Sequence, residues 1–93
     1  MFRDTQWDPF KAALNFAKHG IEFADAVEVR AVPLALTRPE DDSGERRLVT
    51  LGCDTRDRLL VVVWTERGSK VRLISARLGT RHERLSYEEG PDA

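Results

Sequence analysis

Residues 7–20, WDPFKAALNFAKHG, contain the signals for one complete short helix. Asp8 can cap the first turn, and Pro9 suits the first helical position because a backbone N–H would have no intrahelical partner there. Gly20 stands where a left-handed C-terminal cap is expected. Four apolar residues follow the helical spacing i, i+3, i+4 and i+7, and we predict that they form the buried stripe of this helix: Phe10, Ala13, Leu14 and Ala17.

The basic pair Lys18 and His19 falls at the end of this helix and outside the stripe, so packing does not explain it. His19 has two balanced interpretations. As a helix-end residue, a protonated imidazole gains ~0.3–1 kcal/mol from the helix dipole. As a functional group, an imidazole exchanges protons near neutral pH.

Length and composition limit the classes of protein that this chain can belong to. With 93 residues it can bury one modest core, so we predict a single domain over residues 1–93 with a frayed tail from about residue 88. The single cysteine, Cys53, excludes an internal disulfide and favours a reducing compartment. The N-terminus lacks the apolar run of a signal peptide, and the longest apolar run, 59–64, is too short for a membrane span. We therefore expect a soluble cytoplasmic protein.

Charge is unevenly distributed along the chain. Residues 1–45 hold five Lys and Arg against nine Asp and Glu, whereas residues 46–93 hold ten against seven. Nine of those ten are arginines, which favour forked contacts with phosphate. The second half therefore predicts either a solvated sheet surface or a phosphate-binding face, and the acidic first half argues against wrapping a long duplex.

The order of patterns predicts helices first and a sheet afterwards, which is an α+β domain. Turn-forming residues and acids in PEDDSG predict a loop at this point of the chain. The linkers between the last three strand-like runs are short enough for consecutive antiparallel pairing. The expected elements are a short edge strand within 2–7, a second helix at 22–29, an extended piece at 34–37, the loop at 39–44, and strands at 46–53, 58–66 and 70–77.

The last two runs are expected to form a hairpin with Glu66 opposite Lys70 and Trp64 opposite Arg72. In this register the Arg72 guanidinium lies over the indole and contributes ~0.5–1 kcal/mol as a cation–π pair. That contact is the structural interpretation of Arg72, and phosphate binding is the functional one.

Thr80 to Glu83 has the T-x-x-E pattern of a capping box, so a final helix is expected to begin here. This interpretation of Glu83 is preferred over a catalytic base, because the box satisfies two backbone N–H groups that otherwise lack partners. Tyr87 lies one turn further along the same side of the helix. It is either a buried tyrosine with a bonded hydroxyl or a functional group.

The side chains available for chemistry are arginine, lysine, histidine, glutamate and tyrosine. The sequence has no HExxH, CxxC, P-loop or GxGxxG motif, and two histidines with one cysteine are too few to predict a zinc site, so neither a metal nor a cofactor is expected. The remaining types suffice for RNA cleavage. A base takes the 2′-OH proton, the 2′-oxygen attacks the adjacent phosphate, and an acid protonates the leaving 5′-oxygen. Arginines stabilise the charge that develops on the phosphate.

Five segments of the chain, in order, resemble the BrnT toxin family: WDPFKAALNFAKHGIEFADA, GERRLVTLG, LLVVVWTERG, VRLISAR and ERLSYEEG. The resemblance runs from residue 7 to residue 90, and its motifs are long. It implies a RelE-like fold with two N-terminal helices, an antiparallel sheet of three to four strands and a C-terminal helix. The chain departs from the family at residues 29–33, VRAVP, where the family usually shows VF-x-DP, so Arg30 and Val32 can alter the surface.

The resemblance further implies the toxin of a type II toxin–antitoxin system, an endoribonuclease that cuts RNA and inhibits translation without a metal. Under it we expect catalytic roles for Lys18, His19, Glu45, Arg67, Arg77 and Tyr87, and RNA binding by Arg46, Arg72 and Arg81. The general base is expected to be His19, Glu45 or Tyr87, and the sequence does not distinguish among these three. Arg67 and Arg77 favour function because arginines at strand ends are not needed for packing.

The resemblance implies a BrnA-like ribbon–helix–helix antitoxin as partner, in a heterotetramer of two toxins and two antitoxins. Operator DNA would then be contacted only indirectly, through the antitoxin. A second hypothesis stays open. In it the chain is a non-catalytic module that binds a DNA-binding antitoxin and modulates its repression, and the arginines meet an acidic segment of that partner instead of RNA.

Overall fold

Three helices and five strands make up the described part of the computed structural model, which covers residues 5–29, 36–42 and 45–89; the side chains of residues 41, 42, 45 and 46 lie outside this description. In chain order the elements are β1 (Thr5–Gln6), α1 (Pro9–His19), α2 (Phe23–Val29), β2 (Leu36–Asp42), β3 (Glu45–Cys53), β4 (Leu59–Arg67), β5 (Lys70–Leu78) and α3 (Arg81–Glu89). The predicted α+β class is confirmed. Residues 30–33, where the chain departs from the family pattern, and the tail from residue 90 lie outside the described residues.

The strands form one mixed sheet in the order β1-β5-β4-β3-β2. The strands β2 to β5 pair antiparallel, whereas β1 runs parallel to β5 through Thr5 opposite Val71 and Gln6 opposite Arg72. The prediction of an antiparallel sheet of three to four strands was therefore wrong in count and in type. The short edge strand anticipated near the N-terminus is present as β1.

The predicted loop at 39–44 was also wrong in its first part, because residues 39–42 belong to β2. Pro39 lies opposite Leu48 in the ladder with β3. Proline is tolerated there because β2 is an edge strand, where a missing N–H does not interrupt a second ladder. Pairing with β3 outweighs the local preference of Pro and Asp for a turn.

The main core lies between α2 and one face of the sheet, which we call the α2 face. Its buried members are Ile21, Phe23, Ala26, Val29, Leu60, Val62, Leu73 and Ala76. Leu59 and Val61 alternate with these residues along β4 and are also buried. They point to the opposite side, which we call the α3 face because α3 and the sheet line a common cavity there. The central strand is covered on both sides, as its continuous apolar run predicts.

Both predicted caps of α1 are confirmed, but its predicted buried stripe faces solvent. The Phe10 N–H donates to Asp8 Oδ1 at 2.8 Å, and Gly20, at φ 72°, donates its N–H to the Phe16 carbonyl. Phe10 is 71% exposed and Leu14 57% exposed, and Ala13 and Ala17 are exposed as well. The apolar pattern located the helix correctly and its orientation incorrectly.

Asn15 explains this orientation, since it is the buried residue of α1. Its Nδ2 donates to the Ala76 carbonyl at 2.9 Å and to the Ile21 carbonyl at 3.1 Å, and its Oδ1 accepts from the Ala76 N–H at 3.1 Å. The amide thus binds the backbone edge of β5 at a point where none of the described strands pairs with it. Asn15 lies roughly 150° around the helix from the centre of the stripe. Because Asn15 faces the sheet, the apolar stripe on the opposite side of the helix faces solvent.

The β4–β5 hairpin closes in a register different from the predicted one. Arg67 pairs with Lys70 across a two-residue turn, in which Gly68 has a φ of 63°. From this turn the pairing runs in step as far as Trp64 opposite Leu73, and a bulge between Val63 and Trp64 then shifts the register so that Val63 lies opposite Ser75. Arg72 therefore lies opposite Thr65, and the predicted pairing with Trp64 was wrong. The indole Nε1–H donates instead to Thr50 Oγ1 at 2.8 Å.

Candidate functional site

Arg77 and Glu83 form a forked ion pair where β5 ends and α3 begins. The Arg77 Nη1 donates to Glu83 Oε1 at 2.8 Å, and its Nη2 donates to Oε2 at 3.0 Å. Nη1 also donates to the Leu78 carbonyl. The Arg77 side chain is 40% exposed. Arg77 is thus oriented by a carboxylate while part of its guanidinium still faces solvent.

The predicted capping box is confirmed, and Glu83 has a second task in addition. Glu83 Oε1 accepts the Thr80 N–H at 2.8 Å, and the Glu83 N–H donates to Thr80 Oγ1 at 3.1 Å. The bond from Arg77 lowers the pKa of Glu83 to about 2, with the Thr80 N–H also contributing. Glu83 is therefore ionised at neutral pH and poorly suited to accept a proton.

Tyr87 lies one turn beyond Glu83 and is half-buried, as is Glu83. Burial raises the pKa of Tyr87, and the neighbouring Cys53 side chain at the end of β3 raises it further through its hydrogen bond and charge. Tyr87 therefore keeps its proton at neutral pH. A phenol that holds its proton cannot accept another from a 2′-OH, so of the two proton-transfer roles only donation is open to it.

A cavity of about 660 Å³ lies on the α3 face between α3 and the sheet. This volume is in the range of pockets that hold small molecules or parts of larger ligands. Glu83, with its bound Arg77, lies at its wall. The lining residues are apolar on the sheet and polar at the rim: Leu36, Val49, Leu51 and Val61, and then Thr37, Arg38, His82, Glu83 and Ser86.

Lys18 and His19 lie beside the middle of β5, on the α1 side of the molecule. They line a groove of about 260 Å³ together with Ile74 and Ser75. Ser75 and Arg77 are two residues apart on β5, so they point to the same side and lie ~7 Å apart along the strand. The structure thus brings the Lys18–His19 pair to the strand segment that carries Arg77.

The other predicted residues are distributed between two ends of the sheet. Arg81 is exposed at the first position of α3, near Arg77. Arg67 lies at the β4–β5 turn, opposite Lys70. Lys70 is seven residues from Arg77 along β5, a distance of ~23 Å. Arg67 and Arg77 therefore cannot contact the same phosphate.

Three more predicted residues lie toward the end of the sheet that carries Arg67. Arg72 is half-buried opposite Thr65 in the hairpin. Glu45 and Arg46 begin β3, opposite Asp42 and Asp41, and their side chains are outside the described atoms. The candidate residues thus form one group around Arg77, Arg81 and Tyr87 and a second group around Arg67.

Sequence reasoning missed two residues at the rim of the large cavity, Arg38 and His82. His82 was considered only as a metal ligand. The loop predicted for residues 39–44 begins directly after Arg38, so Arg38 was not predicted to lie in a strand. Its alternation with Leu36 in an extended segment was a usable signal. Among the described residues, no three His, Cys, Asp or Glu side chains are grouped as a metal site requires.

None of the helices in the described ranges combines the length and hydropathy needed to cross a membrane.

A family model described as "Ribonuclease toxin, BrnT, of type II toxin-antitoxin system" matches residues 7–83, from the residue before the α1 cap to the α3 capping box. The crystal structure of the ribonuclease toxin BrnT from Brucella abortus is similar to this fold. Its TM-score is 0.72 at 28% sequence identity, over 86% of this chain and 100% of that one. No curated protein matches the chain.

Proposed function

Since the chain belongs to the BrnT family of ribonuclease toxins of type II toxin–antitoxin systems, we propose that it is a metal-independent endoribonuclease that cuts RNA and inhibits translation. The proposal includes a RelE-like arrangement of the helices and sheet, a single domain over residues 1–93 and a cytoplasmic location. The family match supports the class of activity. The Arg77 guanidinium, oriented by Glu83 and close to α3, most directly supports the position of the site.

The proposed reaction is an internal transfer at phosphorus. A base removes the 2′-OH proton, the 2′-oxygen forms a bond to phosphorus, and the bond from phosphorus to the 5′-oxygen breaks as an acid protonates that oxygen. The products are a 2′,3′-cyclic phosphate and a 5′-hydroxyl. Neither proton transfer needs a residue type that the chain lacks.

Arg77 is proposed to stabilise the charge that develops on the phosphate oxygens. A guanidinium has five N–H donors. The bonds to Glu83 and to the Leu78 carbonyl use three of them. The two that remain can bind phosphate oxygens without disturbing the ion pair, and the fixed orientation makes them more effective in the transition state.

Tyr87 is proposed as the acid, because its raised pKa keeps the phenol protonated. The remaining candidates for the base are His19 and Glu45, and Glu45 begins β3 at the end of the sheet that carries Arg67, away from Arg77. His19 is the better supported of the two, because the groove that it lines reaches Ser75, two residues from Arg77. Lys18 would hold the phosphate beside it. Arg46, Arg67, Arg72 and Arg81 would bind flanking RNA, with Arg67 at a different phosphate from Arg77.

An antitoxin partner follows from the family, and we propose that it is a BrnA-like ribbon–helix–helix protein in a two-plus-two complex. The toxin would touch operator DNA only through this partner, in keeping with its formal net charge of −1. Light scattering after size-exclusion chromatography of the coexpressed pair tests this stoichiometry. A one-to-one complex that never dimerises would contradict it.

Cleavage of RNA by the purified chain in the presence and absence of EDTA tests the activity. We expect equal rates in both, because the proposed acid, base and charge stabiliser are all side chains. Absence of cleavage would refute the activity, and cleavage abolished by EDTA would refute the metal independence.

One observation favours the second hypothesis, a non-catalytic module that modulates antitoxin repression. Arg77 is bound by Glu83 as a structural arginine would be. Expression of the chain alone in a bacterium separates the hypotheses, since a ribonuclease should arrest growth and a binding module should be tolerated.

A further inference from the structure

The outer surface of α1 is apolar, although the helix lies on the outside of the described fold. We call Phe10, Ala13, Leu14 and Ala17 the α1 stripe. Phe10 and Leu14 are each more than half exposed, and Phe16 is 50% exposed next to them. Single exposed apolar residues are ordinary on a protein surface, but contiguous ones indicate a binding surface.

The α1 stripe has the shape of a helix-packing surface. Two large side chains, Phe10 and Leu14, alternate with two small ones, Ala13 and Ala17. Small residues at this spacing leave hollows that receive the side chains of a second helix, and the large residues form the ridge between them. The occupant that fits is therefore itself a helix with apolar residues on one side.

Two grooves flank the stripe, and they differ in charge. One groove, of about 350 Å³ between α1 and α2, is mostly apolar and is lined by Trp7, Ala12, Ala13, Phe16, Glu22, Phe23 and Ala24. The other, of about 260 Å³, carries three basic side chains, Lys11, Lys18 and His19. A partner helix on the stripe would thus meet apolar surface on one side and positive charge on the other, so its complementary edge is acidic.

We propose that the α1 stripe is the docking surface for the antitoxin, which binds through an amphipathic helix with acidic residues facing Lys11 and Lys18. This inference rests on the proposed function, because that function supplies the partner. Covering the basic groove would also cover Lys18 and His19, so the same contact would block two of the proposed active-site residues.

The area of the α1 stripe is too small to hold a second copy of this chain by itself. The exposed parts of the two large side chains of the stripe contribute roughly 200–250 Å² when covered, since Phe10 is 71% and Leu14 57% exposed. A stable interface needs about 800 Å² from each partner. The stripe is therefore one anchor within a larger interface, as a partner that extends beyond α1 would form.

The test is antitoxin binding by the double variant Phe10→Gln, Leu14→Gln, measured by calorimetry with purified cognate antitoxin. Glutamine preserves helix propensity, and both positions are exposed, so the fold should be retained and a thermal melt checks this. We expect binding at least ~100-fold weaker, since truncated anchors dominate interface affinity. Any RNA cleavage by the variant should no longer be suppressed by antitoxin.

Leu85→Gln is the matched control, since Leu85 is 49% exposed on α3 and lies outside the stripe. It should bind antitoxin with wild-type affinity. Lys11→Glu tests the acidic edge of the partner and should weaken binding by about tenfold, with a smaller dependence on salt.

Wild-type affinity in a folded double variant would overturn the proposal, whether or not the chain cleaves RNA. A wild-type chain that dimerises alone, and a double variant that is monomeric with unchanged antitoxin affinity, would assign the stripe to a second copy and also overturn it. Absence of RNA cleavage in every variant, together with the expected loss of binding, would refute the proposed activity and leave this surface standing.

Discussion

Replacing Asn15 with alanine should destabilise the fold more than any other single alanine substitution in α1. Within the described residues, β1 pairs with β5 at Val71 and Arg72. Further along the same strand, the Asn15 amide binds both the N–H and the carbonyl of Ala76, and it also donates to the Ile21 carbonyl. Asn15→Ala leaves these three backbone groups without their partner in a buried place.

Each buried polar group left unsatisfied costs ~1–3 kcal/mol, and water entering the gap recovers part of this. We therefore expect Asn15→Ala to lower the free energy of unfolding by ~3–4 kcal/mol. For a chain of this length each kcal/mol shifts the melting temperature by ~4–8 °C, so the melting temperature should fall by at least ~12 °C. Thermal and urea unfolding followed by circular dichroism measure both quantities.

Two further variants make this test specific. Asn15→Asp keeps the acceptor for the Ala76 N–H but directs a carboxylate oxygen at two carbonyls, so at neutral pH it should be at least as unstable as Asn15→Ala. As the pH falls and the carboxylate is protonated, the side chain regains a hydrogen-bond donor, so the free energy of unfolding of Asn15→Asp should approach that of wild type. Lys11→Ala, exposed on the same helix, should change stability by less than ~0.5 kcal/mol. An Asn15→Ala protein within ~1 kcal/mol of wild type would refute this account of how α1 is held.

Substitutions at three other positions test the site and its supports. The pKa of Glu83 is about 2 in the folded chain, against 4.5 for an unperturbed glutamate, so the ion pair stabilises the fold above pH 4.5 and this contribution is lost as the pH falls from 4.5 to 2. Glu83→Gln should therefore be ~1 kcal/mol less stable than wild type at pH 7, after allowance for solvent screening, and equal to wild type near pH 2 in unfolding titrations. Arg77→Ala should reduce the RNA cleavage rate by about 10²–10³-fold with the fold intact, and Arg77→Lys should also be impaired because an ammonium lacks the planar fork; full activity in either would remove Arg77 from the site. Gly20→Ala should lower stability by ~1 kcal/mol in thermal melts, because the φ of 72° strains a residue with a Cβ atom, and an unchanged melting temperature would contradict this.

Local signals in the sequence predicted the helix boundaries well. The caps at Asp8, Gly20 and Thr80 depend on bonds that reach at most four residues along the chain, so a short stretch of sequence contains all the information. The orientation of α1 depends instead on Asn15 and Ala76, which are 61 residues apart. A stripe of apolar residues is ordinarily the buried face of a helix, and nothing near Asn15 in the sequence indicates that this polar residue takes its place.

Sheet pairing was the less predictable part of the fold. Composition alone indicates a loop around Pro39, and only the partner strand β3 shows that this segment is extended. The turn pairs Arg67 with Lys70, which displaces the hairpin register by one residue from the predicted one and separates Arg72 from the indole. Both differences depend on how two strands pair, and the conformational propensities of single residues do not predict strand pairing.

The candidate site was predictable in its residue types and family, but not in its arrangement. The motifs around residues 7–26 and 71–77 identified the family, which the family model confirms over residues 7–83. A functional role was predicted for Arg77 because packing does not require an arginine at a strand end, and the structure shows that it is bound to Glu83, whose capping role was correctly predicted. The sequence could not show that the Glu83 carboxylate both caps α3 and binds Arg77, because these residues approach each other only where β5 ends and α3 begins.

The chemistry of the RNA ends produced by the purified chain tests the proposed ribonuclease most directly. Brief incubation with a defined RNA, followed by mapping of both new ends, should give a 2′,3′-cyclic phosphate and a 5′-hydroxyl at the same position, and a folded Arg77→Ala protein should give neither above background. Intact RNA, new ends that carry a 5′-phosphate, or equal cleavage by Arg77→Ala would contradict the account.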